Sequence, residues 1–112
     1  MRPVFVAIVL GLTTTFAWGH SEIETSIPAE GAVLVEMPET VTLNFDEGIR
    51  ITMAEVRLAD AEPVPVELTG GGFETEVALP VEDAGPGVYQ VEWRGLSTDG
   101  HAMQGTLSFT VE

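Results

Sequence analysis

The sequence predicts an all-β domain of about seven strands, arranged as an antiparallel Greek-key β-sandwich or barrel. Apolar and polar residues alternate with a period of two in several segments, which is typical of strands with one buried face. Segments rich in glycine and proline separate these strands, and helical periodicity is weak throughout. Alternating strands without intervening helices favour this architecture over mixed α and β classes.

Four segments alternate most clearly, namely residues 41–45, 73–79, 89–93 and 107–111, and a further strand is expected around 56–58. In each segment the apolar residues should face the core. For the second segment this inward set is Phe73, Thr75, Val77 and Leu79. Turn signals separate the strands at residues 28–31, 47–48, 62–65, 70–72 and 85–87.

The last two predicted strands, with the turn between them, contain the residues that bear most on function. Trp93 is expected on a buried face, with Arg94 pointing the opposite way. These strands, around 89–97 and 105–111, should pair as a hairpin. Its turn then carries Asp99-Gly100-His101, since Asp-Gly is a common turn pair and glycine tolerates a positive φ.

The N-terminus has the pattern of a secretory signal peptide. Arg2 precedes a short apolar run, residues 4–12, and Ala17 and Gly19 are the small residues of a cleavage site. The run is shorter than the roughly 20 apolar residues of a membrane span. We expect residues 1–19 to be removed after Gly19 and residues 20–112 to form one exported domain. A cut after Ala17 satisfies the same rule.

Composition restricts the possible partners. The chain has 18 acidic and four basic residues and a formal net charge of −14, with no cysteine and no lysine. Such a surface disfavours nucleic acid and anionic membranes and attracts cations. Its acidity also fits the simpler role of keeping an exported protein soluble. Without cysteine there are neither disulfides nor thiolate metal ligands.

The only two histidines, His20 and His101, suggest a metal site. If cleavage follows Gly19, the α-amine and imidazole of His20 can chelate one ion together. Asp99 and His101 could supply the remaining ligands, and copper(II) favours such a set of nitrogen and oxygen donors in tetragonal geometry. Taken singly, each residue has a simpler interpretation, as an incidental histidine or an ordinary turn residue.

Four other residues give weaker evidence for a metal site. Glu47, at the end of the strand 41–45, could orient a ligand from outside the coordination sphere or simply be a charged strand end. Met37, Met53 and Met103 are scattered in sequence, although Met103 could flank the site. No nucleophile triad, phosphate loop or dinucleotide motif is present.

Several of these segments together resemble the copper resistance protein C (CopC) family of periplasmic copper-binding proteins. The most specific is Tyr89-Gln90-Val91-Glu92-Trp93-Arg94 followed by Ser97-Thr98-Asp99-Gly100-His101. Weaker matches are residues 28–31, residues 43–47, the histidine at the predicted mature terminus and the closing segment 105–111.

The resemblance implies an immunoglobulin-like, cupredoxin-related β-barrel that holds copper(II) through His20, Asp99 and His101, with Glu47 as the nearby glutamate. It also implies cleavage after Gly19, a periplasmic location and a CopD-type inner-membrane copper transporter as a partner. Some family members carry a copper(I) site in a segment rich in methionine and histidine. The corresponding residues here, 59–65, contain neither.

The resulting hypothesis is a periplasmic copper(II)-binding protein that buffers or delivers copper without catalysis. Two alternatives remain open from the sequence. One is a copper enzyme that reacts with oxygen through an N-terminal histidine brace. The other is an immunoglobulin-like interaction module without metal. Oxygen consumption and copper titration would distinguish the three.

Overall fold

The computed structural model describes residues 23–112, and its regular structure consists of seven β-strands. The predicted all-β class and strand number are therefore confirmed for this part of the chain. Between Ile23 and Glu112 there is no helix long and apolar enough to cross a membrane. The strands are β1 (Ile23–Ile27), β2 (Ala32–Leu34), β3 (Thr40–Leu58), β4 (Val64–Pro65), β5 (Glu74–Pro80), β6 (Gly87–Ser97) and β7 (Ala102–Val111).

Strand β3 is 19 residues long and changes neighbours along its length within one seven-stranded sheet. Its first part pairs with β1 on one side and β5 on the other, and its second part pairs with β4 and β6. The turn predicted at Glu47-Gly48 is wrong, because β3 continues through these residues. The chain bends there instead: pairing with β5 changes register between Asn44 and Ile49, and Ile49 is already buried again.

Strands β6 and β7 form the predicted hairpin. They pair antiparallel without interruption from Gly87–Val111 to Leu96–Ala102. Strand β2 then adds to the outer edge of β7 in parallel orientation, so that the path across the sheet is β1-β3-β6-β7-β2. The hairpin is therefore held between a long central strand and an edge strand, and only its turn extends beyond the sheet.

The core confirms the predicted inward faces of three strands, the first of which is residues 41–45 of β3. Tyr89, Val91 and Trp93 are buried on β6, opposite Leu107 and Phe109 on β7. The Tyr89 and Phe109 rings stack with centroids 5.3 Å apart, and Phe45 meets the Trp93 ring edge-on at 5.2 Å. Aromatic pairs in these geometries contribute about 0.5–1.5 kcal/mol beyond the area they bury.

The inward face predicted for residues 73–79 is only partly correct. Val77 and Leu79 face the core, whereas Thr75 is exposed and Phe73 is 47% exposed. The strand begins at Glu74, so Phe73 lies in the preceding glycine-rich connection. Its ring is covered instead by the guanidinium of Arg50, 5.4 Å from the ring centroid. A cation–π contact thus replaces burial in the core.

Tyr89 also ties a loop to the core. Its hydroxyl donates a hydrogen bond to the Gly85 carbonyl at 2.6 Å and accepts one from the Ala84 amide at 2.9 Å. A tyrosine near the start of a strand that bonds back to the preceding loop is characteristic of immunoglobulin-like sandwiches. The local geometry therefore agrees with the fold implied by the family resemblance.

Gly105 on β7 should not tolerate a side chain. A Cβ there would lie 2.7 Å from Cζ2 of Trp93, and the Trp93 ring is fully buried and cannot move aside. We expect Gly105→Ala to lower the free energy of unfolding by about 1–3 kcal/mol through overpacking. Urea unfolding followed by Trp93 fluorescence measures this. Gly72→Ala is the control, because its Cβ would meet no atom within 4 Å; equal losses in both variants would contradict the packing argument.

Candidate metal site

The turn between β6 and β7 has a well-defined backbone. The Gly100 amide donates to the Ser97 carbonyl and the Ser97 amide donates to the His101 carbonyl, both at 2.9 Å. Gly100 has a φ of 87°, which is accessible to glycine at little cost. The sequence therefore predicted this turn correctly, including the residue that makes it possible.

Ser97 organises the side chains of the turn, a role that the sequence analysis did not assign although Ser97 belongs to the motif shared with the family. Its hydroxyl donates to a carboxylate oxygen of Asp99 and accepts the His101 amide at 3.1 Å. The Ser97 side chain is itself almost completely buried. The sequence does contain a signal for this role. Ser97 lies two residues before Asp99 and four before His101, and serine hydroxyls often bond backbone groups in turns.

Asp99 and His101 lie side by side at the exposed tip of the turn. His101 Nδ1 is 3.1 Å from Asp99 Oδ2, and the two side chains are 75% and 67% exposed respectively. The Ser97 hydrogen bond holds the pKa of Asp99 below its usual value; slight desolvation opposes this, and His101 assists it. Asp99 is therefore an anion at neutral pH, next to an imidazole that is open to solvent.

The strand register places Glu47 at the same end of the sandwich. Ile49 of β3 pairs with Ser97 of β6, so Glu47 lies two residues beyond that pair in the direction of the turn. Glu47 is exposed. A Cβ built on its neighbour Gly48 would lie 3.7 Å from the Thr98 methyl group, which shows how closely the β3 bend approaches the turn.

The start of β1 lies at this end too. Ile23 pairs with Phe45, two residues before Glu47 on β3. His20, three residues before Ile23 in the sequence, lies outside the described residues. Of the four predicted site residues, the fold thus brings Asp99 and His101 into contact and Glu47 to the same end of the sheet.

Residues 23–112 do not complete a metal site by themselves. In this range no three histidine, cysteine, aspartate or glutamate side chains are grouped so that they could hold an ion. Asp99 and His101 form a pair that needs further ligands. The methionines are not gathered there: Met37 and Met103 pack against the hydrophobic core and Met53 is half-buried opposite Arg94.

Sequence comparisons identify related proteins over nearly the whole chain. Residues 23–112 match the family model described as the CopC domain. The copper resistance protein C of Escherichia coli is 32% identical over 117 residues, covering 94% of this chain and 90% of the relative. That of Pseudomonas syringae pv. tomato is 30% identical, with 99% and 97% covered. Protein YobA of E. coli strain K12 is 25% identical, with 100% and 94% covered.

Solved structures agree with these relationships. The crystal structure of CopC from Methylosinus trichosporium OB3b superposes with a TM-score of 0.71 at 26% identity, covering 83% of this chain and 94% of that one. PcoC, a methionine-rich copper resistance protein from E. coli, gives a TM-score of 0.61 at 30% identity, with 84% and 100% covered. On the family match, the sequence identity and the shared fold, this chain belongs to the CopC family.

Proposed function

We propose that the exported protein binds one copper(II) ion and buffers or delivers it in the periplasm. The observation that carries this proposal is the Asp99–His101 pair, held at the tip of a hydrogen-bonded turn beside the start of β1. Relatives named copper resistance protein C, from two organisms, support copper as the metal. The anionic surface of the chain favours the approach of a cation.

The remaining ligands in this proposal come from His20. Cleavage after Gly19 would make His20 the first residue of the domain 20–112, with its α-amine and imidazole both available. Only two residues lie between it and Ile23, and these three residue steps of extended chain span up to roughly 10 Å. That reach supports a site shared between the terminus and the turn.

The ligand chemistry favours copper(II) over copper(I). An amine, two imidazoles and the ionised Asp99 are nitrogen and oxygen donors that suit copper(II), whereas copper(I) prefers thioethers. The methionines between Ile23 and Glu112 do not converge on this turn. Glu47 would act from outside the coordination sphere, where a carboxylate can orient a bound imidazole.

Exposure of the ligands suits transfer rather than catalysis. Both His101 and Asp99 remain largely open to solvent, so a partner could approach the metal directly. We therefore infer a carrier that passes copper to a membrane transporter of the CopD type. Ascorbate-driven oxygen consumption by the copper-loaded protein would favour the alternative of a histidine-brace enzyme instead.

Copper(II) titration of single variants tests the ligands. His101→Ala should weaken binding most and Asp99→Ala less, because each removes a direct ligand. Glu47→Gln should weaken it by at most about 10–100-fold, as expected for a group that only orients a ligand. Competition with a chelator of known affinity gives the dissociation constants. Asp46→Asn, which removes an exposed neighbouring carboxylate of β3, is the control for a general loss of negative charge.

Wild-type affinity in both His101→Ala and Asp99→Ala would show that copper binds elsewhere. An equal loss in Asp46→Asn and Glu47→Gln would assign the Glu47 effect to overall charge alone.

A one-residue extension tests the terminal chelate. Protein that starts at His20 should bind copper(II) more tightly than protein with one added alanine before His20, since the extension keeps the imidazole but moves the α-amine away. Mass spectrometry of the exported protein verifies the natural start. Equal affinities of the two forms, or a natural start other than His20, would rule out the amine of His20 as a ligand.

A further inference from the structure

A second feature lies at the other end of the sandwich. The β3–β6 ladder runs from Ile49–Ser97 beside the turn to Leu58–Tyr89, which separates the two ends by about 25–30 Å at the usual rise per strand residue. At the Leu58–Tyr89 end a cavity of about 360 Å³ opens between the segments 61–67 and 80–84. This volume lies within the range of small-ligand pockets, about 300–1,000 Å³.

Backbone hydrogen bonds hold both walls of this cavity in place. Val66 donates its amide to the Ala54 carbonyl at 2.9 Å, and β4 pairs with β3 just before it. On the opposite wall, the Val81 amide donates to the Glu39 carbonyl at 3.0 Å, and the Ala84 amide is bound by the Tyr89 hydroxyl. The cavity is therefore preformed, so binding a ligand would cost little free energy for ordering its walls.

The cavity combines an apolar interior with an acidic margin. Val56, Leu58 and Tyr89 form its floor, and Val64 is 56% exposed at the opening. Four carboxylates also line it and none of its lining residues is basic. These carboxylates are Glu62, Glu67, Glu82 and Asp83.

We propose that this cavity is a docking site for a basic segment of a partner protein, which inserts a bulky apolar side chain and places flanking lysines or arginines against the carboxylates. Charge complementarity selects this occupant. A second copy of the chain, with a net charge of −14, would be repelled, and an anionic ligand would meet only carboxylates. A partner seated here would leave the Asp99–His101 turn accessible for metal exchange.

A defined peptide probes the site. The exported protein, isotopically labelled, is titrated with acetyl-Lys-Lys-Leu-Phe-Lys-Lys-amide and its amide NMR shifts are followed. We expect shifts confined to segments 58–67 and 80–89. Binding should weaken steeply when salt is raised from about 20 mM to about 500 mM, because exposed ion pairs are screened. Peptides with glutamate for lysine, or serine for leucine and phenylalanine, should not bind.

Two sets of variants separate this site from the general acidity of the chain. Removing three charges with Glu62→Gln, Glu67→Gln and Glu82→Gln should weaken peptide binding about fivefold or more, in keeping with the modest strength of exposed ion pairs. Removing three exposed charges elsewhere, with Glu24→Gln, Glu74→Gln and Glu76→Gln, is the matched control. Val64→Ser should also weaken binding, whereas Val33→Ser, at the exposed central position of β2, should not.

The proposal is overturned if the two triple variants lose affinity equally, if the serine-substituted peptide binds as well as the original, or if the shifts spread over the whole surface. Copper(II) affinity should be unchanged in Val64→Ser. The peptide and copper experiments therefore test the docking site and the copper site independently.

Discussion

The hydrogen-bonded ladder between β3 and β6 is the constraint on which the rest of the molecule depends. It extends from Ile49–Ser97 to Leu58–Tyr89 with one irregularity, between Ile51 and Met53. Its inward side chains supply the centre of the core, including Trp93. Its two ends fix two different surfaces: the turn after Ser97 and the acidic cavity beside Tyr89.

At each end, a single hydroxyl group joins a loop to this ladder. The hydroxyl of the buried residue Ser97 binds both the Asp99 carboxylate and the His101 backbone amide, which ties the two residues to the same point of the ladder. The Tyr89 hydroxyl does the same for the backbone of residues 84 and 85. These hydrogen bonds hold exposed groups in defined positions, as metal or partner recognition requires, and leave them accessible.

The sequence was informative where residue pattern alone determines structure. Period-two alternation identified the buried faces of β6 and β7, and Asp-Gly identified the turn that carries the candidate ligands. It failed at Glu47-Gly48, where β3 continues as a strand through a shift in its pairing register instead of turning. It also failed at Phe73, which lies just before β5 and contacts the Arg50 guanidinium instead of the core. The role of Ser97 depends on a side-chain hydrogen bond, which periodicity cannot reveal.

We propose that one copper(II) ion binds where the 97–101 turn, the bend of β3 and the start of β1 come together. Copper(II) broadens the NMR signals of nearby nuclei, so substoichiometric copper added to the exported, labelled protein locates the ion directly. Amide signals of residues 98–102, 47–48 and 23 should disappear first, while those of 58–66 and 81–86 should persist. Broadening centred on the acidic cavity, or spread evenly over the carboxylates, would contradict it.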